Sequence, residues 1–297
     1  MNGALAQRIA DGLDAAAHPA VAAFAARLAE EAGAAAALFY GSNLRTGELE
    51  GVLDFYLLLP GSQTERIWPR VSYHEWEHEG RVLRAKVARI AFATFVRAAE
   101  GESRDTTIWA RFVQPSALVW ISTGEWRPRI VSAIAGAAQT AARLAAALGP
   151  ESGTAEDYWR ALFRATYQAE FRVEKPGRED SILSVNATHF EGLLPLAWEA
   201  QGIPFARDGE RLAPRLSAAE RRRILSWWAR RRRFGKPLNL ARLVKASTTF
   251  DGAARYAAWK IERHTGVPVA ITPWRERHPV LAAPGVLFKV WRARRRG

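Results

Sequence analysis

Two glycine-bounded apolar runs carry the residues best spaced for chemistry. Residues 36–59, AALFYGSNLRTGELEGVLDFYLLL, join an apolar run ending at Gly41-Ser42 to a second run holding one acid, Asp54. Gly41 permits a sharp bend at which backbone N–H groups can approach an anion, and the Ser42 hydroxyl adds a donor. An ionised carboxylate inside an apolar run is costly without a cation, so Asp54 is expected at a strand end or cleft where one neutralises it. Donors at one strand end beside a carboxylate at the next suit a metal-bound nucleoside triphosphate. Lys86, in the strand-like stretch RVLRAKVARIAFATF (residues 81–95), would reach such a triphosphate from a neighbouring strand; the plainer alternative is a solvated edge lysine. A rival motif is His74-Glu75-Trp76-Glu77-His78, which fits the HExxH pattern of helical zinc sites. Glu77 places a charge where such a helix is apolar, and no helical periodicity surrounds it, so the segment reads as a loop before Arg81.

The elements that must position these residues follow from pattern. Residues 4–32 read as an alanine-rich helix pair broken at His18-Pro19, packed on the first strand through Val21, Phe24 and Leu28. Pro60-Gly61 end the second strand. After an acidic linker from Glu100 to Asp105, TIWARFVQP predicts a short strand or turn and ALVWIS a further strand. Val131 to Leu148 is a long alanine helix stopped by Gly149-Pro150. Helical spacing recurs over 155–174 and around 186–198, and Gly202 and Pro204 mark a loop. Ser217 and Glu220 form a capping box opening ERRRILSWWARRRRF, residues 242–263 are again helical, and GVLFKVWRARRRG at 285–297 places Leu287, Val290 and Trp291 beside arginines.

Composition bounds the function. The 297 residues are 48% hydrophobic, enough for a core and for two domains. The absence of cysteine excludes disulfides, thiolate metal sites and cysteine nucleophiles, and favours the cytoplasm. Asp11 and Asp14 near the N-terminus argue against a signal peptide. Val131 to Leu148 contains Gln139 and Arg143, so no bilayer span is expected. Residues 217–297 carry 20 Lys or Arg against 4 Asp or Glu, whereas the rest of the chain is nearly neutral. That asymmetry predicts a surface for a polyanion, either anionic lipid headgroups or nucleic acid.

Gly-Ser, eleven intervening residues and an acid between apolar neighbours resemble the signature of the nucleotidyltransferase superfamily. Its members usually carry two carboxylates one residue apart; here Tyr56 stands in the second place. The chain more closely resembles the mitochondrial-type phosphatidate cytidylyltransferases, peripheral CDP-diacylglycerol synthases. Their Tyr-Gly-Ser and Asp-Phe are matched by Tyr40-Gly41-Ser42 and Asp54-Phe55. Their lysine strand, their Trp, Arg and Pro segment and their Ser-Tyr-x-Gly-Asp-x-Arg segment are similar to Arg84-Ala85-Lys86, to Trp109, Arg111 and Pro115, and to Thr166-Tyr167-Gln168-Ala169-Glu170-Phe171-Arg172.

The resemblance implies an α+β chain: a nucleotidyltransferase-fold mixed sheet with flanking helices over 1–150, a helical, winged-helix-like domain over 151–216, and a basic amphipathic region over 217–297 for membrane docking. It implies that Asp54 and Glu170, rather than Glu174, hold Mg²⁺, and that Tyr40, Gly41, Ser42 and Lys86 bind CTP. Arg111 and Arg172 would take the acceptor phosphate of phosphatidate, at the inner face of the cytoplasmic membrane. The alternatives are the same fold using another nucleotide or acceptor, such as RNA or a small molecule, and a non-catalytic polyanion-binding module.

Overall fold

The computed structural model describes residues 3–169, 178–249 and 251–277, with positions 282 and 285. The chain is mixed α/β, with more helix than strand and a five-stranded mixed sheet. Two helices lead in, α1 (Gly3–Leu13) and α2 (Pro19–Glu31), separated at His18-Pro19 as the sequence predicts. Proline opens α2 because the first helical position needs no N–H, and His18 Nδ1 accepts from the Ala20 amide at 3.1 Å.

The sheet then forms from β1 (Ala36–Tyr40), β2 (Leu53–Leu59), β3 (Arg70–His78), β4 (Arg81–Ala91) and, later, β5 (Ser116–Ile121). Their spatial order is β3-β4-β2-β1-β5, and β2 and β4 alone run parallel. Side chains alternate between two buried faces. Phe39, Phe55, Leu57, Leu83 and Val87 pack on α2, whereas Leu38, Tyr56, Leu58, Ala88 and Ile90 pack on the helices that follow. A short helix, α3 (Ser42–Thr46), sits in the connection between β1 and β2.

Four sequence expectations are corrected here. The strand expected over 81–95 stops at Ala91, where α4 (Phe92–Ala99) begins, because Phe92, Phe95 and Ala99 recur at helical spacing and are buried. Residues 107–112 form a helix, α5, rather than a strand or turn. Its start is fixed by Asp105, which accepts from the Thr107 amide at 3.1 Å and from its hydroxyl at 2.8 Å. Asp105 is therefore no linker acid: it is 3% exposed and is held by Arg242 through two bonds of 2.8 and 2.9 Å. Finally, 70–78 is strand β3 rather than a loop, with Trp76 packed on Phe24 at 5.3 Å.

α6 (Trp126–Leu148) is the hub of the helical layer. It is buried nearly all round because alanine lets α1, α4 and α5 approach closely, along with α7 (Ala155–Ala169) and two elements further on. It is also the described helix long and apolar enough to cross a membrane, and 83% of that apolar window lies inside the protein.

After α7 come α8 (Arg178–Val185), α9 (Ala187–Phe190) and α10 (Leu193–Glu199). A small sheet that the helical reading of this region did not foresee then forms, in the order β6-β8-β7, from β6 (Gly153–Thr154), β7 (Phe205–Asp208) and β8 (Arg211–Pro214). Gly209-Glu210 make its two-residue hairpin turn, with Gly209 at φ 57°. One hydrophobic cluster contains residues from Leu5 to Trp228 and so passes either side of Gly149.

α11 (Ala218–Thr249) begins at the expected capping box, with Ser217 Oγ donating to Glu220 at 2.6 Å and accepting from its amide at 3.2 Å. Within the Arg230–Arg233 run of the basic region, Arg231 turns inward: it donates to the Ser103 carbonyl at 2.9 Å and stacks on Trp227. α12 (Ala253–Thr265) and α13 (Pro273–Arg277) follow. Just before α12, the Asp251 carbonyl accepts from the Tyr73 amide at 2.8 Å, stitching the outer edge of β3. The expected docking segment 285–297 lies outside the described residues apart from position 285.

Candidate active site

Tyr40, Asp54 and Lys86 are lateral neighbours on β1, β2 and β4, so their side chains leave the same sheet face. Tyr40 ends β1, and Gly41 turns the chain at φ 98° into α3. That bend lies directly against the acid: a Cβ placed on Gly41 would come within 3.3 Å of the Asp54 carboxyl. The loop after the bend is closed by Asn43, whose amide donates to the carbonyls of Glu48 at 2.9 Å and Glu50 at 2.7 Å.

Burial pushes the Asp54 carboxyl above the ordinary carboxylate range, against the opposing pull of Lys86 and Arg111. Burial also lowers the Lys86 ammonium, with Asp54 drawing it back up. Each group thus opposes the shift that burial imposes on the other. Lys86 is not the solvated edge lysine of the plainer reading, because β4 lies between β3 and β2 and the side chain is part-buried.

Arg111 reaches the site from α5, whose Ile108, Trp109 and Phe112 face the core. Its guanidinium stacks on the Tyr40 ring at 4.7 Å. Burial raises the Tyr40 phenol, with Arg111 opposing, so Tyr40 acts as a neutral platform. Tyr56 is no substitute for a second carboxylate: it packs on Tyr40 at 5.6 Å and on Phe112 at 5.2 Å.

A cavity of about 330 Å³ opens over this face, lined by Tyr40, Gly41, Ser42, Asp54 and Arg111. Its wall includes residues the sequence did not single out as ligands: Arg45, Gln114, Tyr167, Ser181, Ile182 and Val185. Arg45 carries a signal in hindsight, lying one helical turn after Ser42, where its guanidinium donates back to the Gly41 carbonyl at 3.4 Å. Ser181, Ile182 and Val185 come from α8, whose short pattern carries no such signal. Glu170 and Arg172, the expected second metal ligand and acceptor-phosphate residue, lie outside the described residues.

Asp54 is the one carboxylate among the described cavity-lining residues. Asp54 and Ser42 both line the cavity, and their side chains offer oxygen, the donor type that Mg²⁺ takes. The HExxH segment offers no zinc site. On β3, His74 and His78 are about 13 Å apart along the strand. His74 bonds Ser72 at 2.8 Å and His78 stacks on Trp76. Among the described residues no three His, Cys, Asp or Glu side chains converge as a metal cluster. Comparison with protein-family models and with curated proteins finds no match for the chain.

Proposed function

We propose that the chain is a Mg²⁺-dependent cytidylyltransferase of nucleotidyltransferase fold, transferring the cytidylyl group of CTP to the phosphate of a phospholipid, most simply phosphatidate. The products are CDP-diacylglycerol and pyrophosphate. The observation that carries this reading is the meeting of the Gly41-Ser42 bend, Asp54 and Lys86 on one sheet face beside a cavity. The choice of cytosine and of phosphatidate rests on the resemblance of the Tyr40-Gly41-Ser42 and Asp54-Phe55 pairs.

In this mechanism Asp54, with Glu170 as its expected companion, holds the ion. An ion held there would supply positive charge to offset that of the triphosphate. An anionic oxygen of the acceptor phosphate forms the new bond to the α-phosphorus, and the bond to the β-phosphate oxygen breaks. Lys86 offsets charge on the departing pyrophosphate, and Arg111 orients the acceptor phosphate. Such an acceptor is already ionised and needs no general base. Ile182 and Val185, the latter 55% exposed, give the cavity an apolar rim suited to the diacylglycerol end.

The hairpin β7–β8 beside α7 to α10 supports the winged-helix-like reading of residues 151–216. Peripheral docking on the cytoplasmic membrane face follows from a lipid acceptor together with the basic 217–297 region. A second reading, RNA as acceptor or polyanion partner, is favoured by the exposed Arg222, Arg223, Arg230, Arg232 and Arg233 of α11.

The test is pyrophosphate release from CTP, Mg²⁺ and phosphatidate vesicles, with the other three triphosphates and a short RNA as competitors for each role. Wild-type protein is expected to turn over with CTP and phosphatidate, and Asp54→Ala to lose about a thousandfold or more. Release with RNA but not lipid would transfer the assignment to the second reading. Absence of release with every pair would remove the enzyme assignment.

A further inference from the structure

On the far side of Lys86 from the cavity, the same sheet face continues beneath α12. Tyr73 lies directly across the ladder from Lys86 and contacts Tyr256 of α12, ring to ring, at 5.4 Å. The helix is seated tightly there, since a Cβ on Gly252 would fall 2.6 Å from the Tyr73 carbonyl oxygen. One turn beyond Tyr256, Lys260 lies with its ammonium 5.9 Å from the Tyr256 ring. Trp259 is flanked by two guanidinium groups, Arg84 of β4 at 5.6 Å and Arg263 of α12 at 5.3 Å. Arg263 also reaches the loop between the glycine bend and β2, for a Cβ on Gly51 would come within 3.3 Å of its guanidinium.

Lys260 therefore lies on the α12 side of Lys86, the neighbour of Asp54, and Arg263 lies between α12 and the 47–52 loop, so the three basic residues share the side of the sheet that α12 covers. Arg255, elsewhere on the same helix, is satisfied by Glu276 at 3.1 Å, and Arg84 by Glu75 at 3.3 Å. Neither Lys260 nor Arg263 has an ion-pair partner among the described residues. Lys260 adds to the effects that hold the Lys86 ammonium down, so the cluster is electrostatically unfavourable by itself and favourable around an anion.

We infer that Lys260 and Arg263 of α12, together with Lys86, form a polyphosphate subsite that takes the β- and γ-phosphates of the nucleotide on the side of Asp54 opposite the Arg111 cavity. The nucleotide's identity rests on the reading above; the anion site rests on the placement of these residues alone. Asp54 then separates two positively lined compartments, one for the leaving pyrophosphate and one for the acceptor phosphate. An in-line displacement needs its entering and departing oxygens on opposite sides of the reacting phosphorus, and this division supplies that.

The experiment uses the full chain and inorganic tripolyphosphate with Mg²⁺, titrated by calorimetry in the absence of any acceptor. Lys260→Gln and Arg263→Gln are each expected to weaken tripolyphosphate about tenfold, the loss of one charge-assisted bond, with Lys260→Arg largely retaining it. Arg97→Gln, at an exposed α4 arginine paired with Glu102, is expected to leave it unchanged. Both α12 residues are exposed, so their variants are expected to melt as wild type does. The subsite is overturned if wild type does not bind tripolyphosphate, or if Lys260→Gln and Arg263→Gln bind it as wild type does. Pyrophosphate release from CTP that persists with unchanged KM in those two variants also sinks the subsite while sparing the proposed function. Weakened tripolyphosphate binding in a protein that releases no pyrophosphate does the reverse.

Discussion

The site turns on one hydrogen atom. Where Gly41 stands, any other residue brings a β-carbon against the Asp54 carboxyl and must also hold φ near 98°. Gly41→Ala is expected to cost about 1–2 kcal/mol of stability from backbone strain and to lower kcat/KM by about a hundredfold through displacement of the acid. Denaturant unfolding and steady-state kinetics on one preparation would separate the two effects; equal, small losses in both would show that the bend does not position Asp54. The raised carboxyl of Asp54 carries a pH signature. Mg²⁺ binds the ionised form, so the thermal stabilisation it confers with nucleotide is expected to be full above the raised pKa and to fade as pH falls through it. A melt series from about pH 8 to about pH 5 should show that fading in wild type and a flat, small response in Asp54→Asn. These residues were legible because each departs from its surroundings: a glycine closing an apolar run, an acid inside an apolar strand. Arg111 carried no such contrast, and its place came only through the resemblance.

Elements were legible where their own residues decide them. β1 and β2 are apolar runs bounded by glycine, and the Ser217-Glu220 box opens α11 as its residues require. α5 was not, because six residues are too few to display a period and its start depends on Asp105, whose partner Arg242 lies 137 residues along the chain. β3 escaped for a related reason. Its Tyr73 packs against α12 and its Trp76 against α2, but Glu75 and Glu77 interrupt one face and Ser72, His74 and His78 the other, so neither shows the apolar stripe of a half-buried strand. The Asp105–Arg242 pair is thus the joint between α11 and the layer that carries Arg111, with the Arg242 Nε donating to the Trp68 carbonyl at 2.8 Å. Arg242→Met strands a buried carboxylate and is expected to cost about 3–5 kcal/mol in denaturant unfolding. Asp105→Asn added to it should recover part of that loss. A single variant within about 0.5 kcal/mol of wild type would mean that the joint bears little.

The whole molecule is built around α6, on which helices from both sides of Gly149 pack. Tyr158, Trp159, Leu162 and Trp198 are buried against the same cluster as Ile130 and Leu144. Thermal unfolding followed by near-ultraviolet and far-ultraviolet signals is expected to show one coincident transition. A fragment ending at Gly149 should show none, since it would leave that helix uncovered; an independent, cooperative melt of the fragment would count against a shared core. Sheet and helix hub were both foreseeable as elements, whereas their union was not, because contacts between distant segments leave no local pattern.

The stitch that Asp251 makes on β3 sets an order of events during synthesis. β3 emerges from the ribosome early, and its outer edge waits for a segment near the far end of the chain. Throughout that interval the strand offers its open seam to any neighbouring polypeptide, so translation stalled before residue 251 would leave a nascent chain prone to sticking to its own copies on the same polysome.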